Sequence, residues 1–127
     1  MRLRVLKAAL LAAGLAGTIA LPAAAHHGWS WTESGFFQLE GIVSAVYIGN
    51  PHATIDIDVE GTIWRVELAP PGPTTAAGFV EGVATEGDEI TAIGNRSTDP
   101  NETRMKAVRI IVGGVTYDVY PSRARQI

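Results

Sequence analysis

Ile55-Asp56-Ile57-Asp58-Val59-Glu60-Gly61-Thr62-Ile63-Trp64-Arg65-Val66-Glu67-Leu68 is the stretch whose reading decides the fold. Ile55, Ile57 and Val59 alternate with Asp56 and Asp58. After Glu60-Gly61, Trp64, Val66 and Leu68 alternate with Arg65 and Glu67. A period of two around a two-residue turn predicts a β-hairpin. The turn length sets the register: Val59 faces Thr62, Ile57 faces Trp64, Ile55 faces Val66, and Asp56 faces Arg65. Apolar then meets apolar on one face and opposite charges meet on the other, each pair contributing roughly 0.2–1 kcal/mol. This register predicts that Trp64 is buried against Ile57.

A second hairpin passes the same test. Residues 104–112 and 115–120 flank Gly113-Gly114, which sets Val112 against Val115, Ile110 against Tyr117, Val108 against Val119 and Arg109 against Asp118. Working outward, residues 39–48 form a strand with Gly41 marking a bulge or bend, and Asn50-Pro51 ends it. Residues 69–73 read as a stiff Pro-rich loop. Thr74 or Thr75 then caps the only expected helix, over residues 76–80, which Gly82 helps to end. Residues 89–94 form a further strand entered through Gly87-Asp88, residues 96–103 a polar loop, and residues 121–127 a frayed basic tail.

This order of strands around one short helix predicts an all-β fold, a small OB-like Greek-key barrel over residues 38–120. A small β-sandwich has the same local pairs with a different closure. In a barrel of that type the loop between the first two strands lies on the usual ligand face, and here it carries His52.

The amino-terminal part reads as an export signal over residues 1–25. Arg2, Arg4 and Lys7 precede an apolar run over residues 8–21 that Pro22 ends, with Ala23 and Ala25 at the two small positions of a cleavage site. The run is shorter than the roughly 20 residues a membrane-spanning helix needs, which favours a cleaved signal over the alternative, an uncleaved signal anchor that would keep His26 inside a peptide chain. Cleavage after Ala25 makes His26 the new amino terminus and leaves no membrane anchor. It removes three of the ten basic residues and none of the thirteen acidic ones, taking the net charge from −3 to −6, which disfavours a nucleic-acid partner. The compartment implied is the periplasm or the exterior. Residues 26–37, with Trp29, Trp31, Phe36 and Phe37, read as an aromatic arm that packs its rings on the barrel. With no cysteine in the chain, disulfides, thiolate zinc sites and thiol catalysis are excluded.

Four short motifs in order carry a resemblance: His26-His27, Gly41-Ile42-Val43, Asn50-Pro51-His52 and Trp64-Arg65-Val66-Glu67, with Glu86-Gly87-Asp88-Glu89-Ile90-Thr91 fitting the same pattern. Together they resemble an uncharacterised family of exported bacterial proteins, a domain of unknown function. More faintly, the chain resembles small periplasmic OB-fold proteins. The resemblance implies fold and compartment and no particular chemistry.

The candidate chemistry belongs to the histidines. A free terminal amine and the His26 imidazole form a chelate, and imidazole nitrogen suits copper, which heads the divalent affinity order. Cleavage one residue earlier puts His27 third from the amine, another copper(II)-binding arrangement; the alternative is that His26 and His27 are an unstructured terminus. His52 is a further candidate ligand, or else a turn residue bonded to backbone. Asp56 and Asp58 are candidates to orient a ligating histidine, or else the solvent face of a strand. No nucleophile triad, paired-carboxylate site or phosphate-binding loop is legible. An oxygen-activating copper enzyme is conceivable on the same histidines. The expectation is therefore an exported metal-binding protein, copper first, using His26, His27 and His52. The alternative is a non-metal interaction module that takes an envelope protein, peptide or glycan near His52.

Overall fold

The computed structural model describes residues 28–127. Six strands follow one another as β1 (Phe37–Tyr47), β2 (Thr54–Val59), β3 (Thr62–Glu67), β4 (Glu89–Arg96), β5 (Arg104–Val112) and β6 (Val115–Asp118). A short helix α1 (Pro71–Ala76) lies between β3 and β4, and a turn of helix α2 (Pro121–Ala124) follows β6. The sheet order is β3-β2-β1-β4-β5-β6, and a parallel β3–β5 pairing joins β3 to β5 and closes a five-stranded barrel, with β6 appended to β5. This is the connectivity of an OB-like barrel.

Both hairpins have the register that their alternation predicts, with Ile57 opposite Trp64, Asp56 opposite Arg65 and Arg109 opposite Asp118. The inward residues Val43, Ile55, Ile57, Val66, Leu68, Met105 and Ile110 are buried. Phe79 joins them from the loop after α1 and meets Tyr117 edge-on at 5.6 Å.

Strand β1 serves two neighbours, pairing with β4 through its first half and with β2 through its second. The register shift falls at Ser44, between Val43 and Ala45, rather than at Gly41. Gly41 instead permits a close approach of strands. A Cβ there would lie 2.4 Å from the Asp58 carbonyl oxygen, so β2 leaves no room for a side chain at position 41. Gly94 does the same for β4 and β5, where a Cβ would sit 2.0 Å from the Lys106 carbonyl oxygen.

Three further expectations need correction. The helix starts at Pro71 and not at Ala76, because a proline at the first helical position is pre-organised for the turn and gives up only an N–H that the helix leaves unpaired. Thr74 is therefore inside the helix and buried, its hydroxyl donating to the Ala69 carbonyl at 2.8 Å, and Gly78 at φ +84° ends it. Second, residues 121–124 are not a fraying tail: α2 folds back with Ala124 buried. Third, Trp64 does stand opposite Ile57, but it is half-buried, 5.3 Å from Phe37 and with the Arg96 guanidinium 5.2 Å from its ring.

Candidate functional site

Because Val66 and Met105 point inward, their neighbours Arg65, Glu67, Arg104 and Lys106 point to the outer face. There a cleft of about 600 Å³ runs across the ends of β1, β2, β3 and β5, with His52 and Pro51 of the β1–β2 loop at its rim. Its floor carries two ion pairs. Arg65 donates to Asp56 through two nitrogens, at 2.5 and 3.2 Å, and this hydrogen bonding raises the guanidinium pKa further. Glu67, whose side chain is only 3% exposed, accepts from Arg104. Arg104 keeps its buried Nε–H without a partner among the described residues.

His52 is half-buried, with Nδ1 3.4 Å from the Ala53 carbonyl oxygen, too long for a strong hydrogen bond. Beside it the Tyr47 hydroxyl donates to the Asn50 carbonyl at 2.7 Å and ties the loop to β1. The Asn50–Pro51 peptide is cis. Asp56 is engaged by Arg65, and Asp58 accepts the Gly61 N–H of the β2–β3 turn at 2.7 Å, so both carboxylates have structural partners. His26 and His27 lie outside the described residues. Among the described residues, no group of three His, Cys, Asp or Glu side chains comes together in a way that would hold a metal.

Of the arm's four rings, Trp31 is buried and Trp29 half-buried, Phe36 is exposed and Phe37 belongs to β1, and the path of the described part is informative. Thr32 bridges to Ser97, the Glu33 N–H donates to the Arg96 carbonyl at 2.8 Å, and the Asn95 amide donates to the carbonyls of Glu33 and Gly35, both at 3.0 Å. Trp31 is buried, with the Arg104 guanidinium 5.4 Å from its ring. Trp29 meets Tyr120 edge-on at 4.9 Å, with the Arg123 guanidinium 3.8 Å and the Lys106 ammonium 4.7 Å from its ring. Lys106 is only 7% exposed and donates to the Gly28 carbonyl at 2.7 Å. Burial lowers its pKa, with Arg123 adding to that and Glu67 opposing it. Burial likewise raises the Tyr120 phenol.

Sequence reasoning found His52 and the arm but missed Glu67, Arg104 and Lys106. Their only signal was alternation: each stands at a polar position of a strand end, as solvated residues also do. The parallel β3–β5 closure, which places Glu67 beside Lys106, joins segments 39 residues apart and leaves no local mark.

Closure, strand order and a loop-rimmed cleft on the outer face define a small barrel of the OB type, antiparallel except at its one β3–β5 seam. Within that class the chain belongs to a family of unknown function, DUF6152, whose family model matches residues 15–106. The matched span includes all three histidines. Comparison with curated proteins gives no match.

Proposed function

We propose that this is an exported metal-binding protein, copper first, whose site joins the mature amino terminus, with His26 and His27, to His52 at the rim of the cleft. One observation carries the reading. Gly28, the neighbour of His27, is tethered to Lys106, which stands in register with Glu67, and Glu67 and His52 line the same cleft. Adjacent strands are about 4.8 Å apart. Two extended residues ahead of Gly28 reach about 7 Å. A terminal amine, its own imidazole and a second imidazole make a nitrogen donor set of the kind that copper(II) favours. Net negative charge on the mature chain draws cations to it.

The test is a competition titration of correctly processed protein against a copper(II) chelator. Stoichiometric binding is expected, weakened in His26→Ala, in His52→Ala and in a form carrying one extra residue before His26. Full affinity in His52→Ala refutes the shared site, and absence of stoichiometric binding refutes the metal reading.

The cleft itself favours a second reading, a periplasmic or secreted interaction module. Its Arg65–Asp56 and Arg104–Glu67 pairs, beside the Tyr47 ring, offer both charge and apolar surface to an envelope protein, peptide or glycan.

A further inference from the structure

We propose that Lys106 is a positioning residue, a latch that docks the amino-terminal arm beside the cleft and so sets where the chain ahead of Gly28 emerges. A buried ammonium is costly unless its protons are bonded and its charge is met. Methionine would fill the space between Trp29 and Tyr120 without that penalty, so packing alone does not call for a lysine. What the ammonium does here is directional. It donates to the Gly28 carbonyl at 2.7 Å and lies 4.7 Å from the centre of the Trp29 ring and 5.6 Å from that of Tyr120.

Gly28 is shaped for this contact. Its φ of +74° is a left-handed conformation that glycine adopts readily and side-chain-bearing residues avoid, and it leads directly into the Trp29–Thr32 turn. The charged groups around Lys106 are Glu67 on β3 and Arg123 on α2, one attracting and one repelling. Arg104, two residues back on β5, links the same region to the cleft, pairing with Glu67 while its guanidinium lies near Trp31. Glu67 and Arg104 line the cleft while Arg104 and Lys106 meet the arm, so the two features adjoin at the start of β5.

The latch can be tested independently of the metal reading, on which only the affinity measurement rests. The mature chain, Lys106→Met and Lys106→Arg are compared by chymotryptic release of the arm, followed by mass, and by copper(II) competition. Lys106→Met should keep a cooperative melt yet release the arm about ten-fold faster, as expected for one lost hydrogen bond from a charged donor. Copper affinity should fall by a similar factor. Lys106→Arg, which keeps charge and donors, should recover part of both. Unchanged arm protection in Lys106→Met overturns the latch. If Lys106→Met does not fold, Gly28→Val decides instead: it strains the left-handed turn without touching the barrel, and equal protection there also overturns the latch. If the unaltered chain binds no copper, the metal reading falls while the protection result still judges Lys106.

Discussion

Glu67 and Lys106 stand in register across the parallel seam that closes the barrel, one lining the cleft and the other holding the arm. Opposite charges sit side by side at the point where the two features of functional interest meet. Altering this seam should therefore affect stability, arm and cleft together.

Removing Arg104 leaves Glu67 buried with its direct partner gone. Arg104→Met should destabilise the protein by about 3 kcal/mol, the lower end for breaking a buried pair, because Lys106 remains beside the carboxylate. Chemical denaturation measures this, and adding Glu67→Gln to Arg104→Met should recover part of the loss. A loss below ~1 kcal/mol would place the pair among ordinary surface ion pairs.

Gly94 admits no Cβ, since the nearest atom is the backbone oxygen of Lys106 and cannot swing away. Gly94→Ala should cost about 1–3 kcal/mol through forced separation of β4 and β5. It should also loosen the arm, because Lys106 moves with the strand. A melt unchanged from that of the unaltered chain would contradict the close approach.

Trp64→Ala should cost about 2 kcal/mol, less than the 3–5 typical of a fully buried aromatic, because the ring is half-exposed between Phe37 and Arg96. The unfolding midpoint reports it. A loss in the full range would mean that the ring contributes as a core residue.

Asp118 has its pKa held below 3.8, first by the hydrogen bonds from Arg109 and then by that residue's charge. A depressed carboxylate pKa means the unfolded chain binds the proton more readily, so stability is present above pH 3.8 and is lost as pH falls through the folded value. With both groups about a third exposed, the pair is worth about 0.2–1 kcal/mol. Asp118→Asn should show that deficit at neutral pH, and the difference from the unaltered chain should vanish in acid. A deficit that persists in acid would assign the effect to packing.

Processing is checked by intact mass: material exported through residues 1–25 should begin at His26, with Ala25 as the second choice. A mature mass that still includes Leu21 would contradict the signal reading and remove the free amine on which the chelate depends.

The amino-acid sequence by itself determined the local pairs. Ile57 against Trp64 and Arg109 against Asp118 follow from alternation around a two-residue turn, where the chain's own geometry leaves one register that keeps apolar residues on one face. It also determined that the rings of Trp29 and Trp31 would seek cover. Only the tertiary structure decided what lies across the β3–β5 seam, because Glu67 and Lys106 look like solvated strand positions until closure buries them and brings Arg104 against Glu67. The helix start belonged to tertiary context as well: Thr74 suits a cap in isolation, yet its hydroxyl finds Ala69 only when Pro71 opens the turn and the threonine is packed inside. Long-range contact is what separates the two kinds of information. A hairpin is specified by neighbours in the chain, while a barrel seam exists only once the strands between have twisted far enough to bring its two sides together.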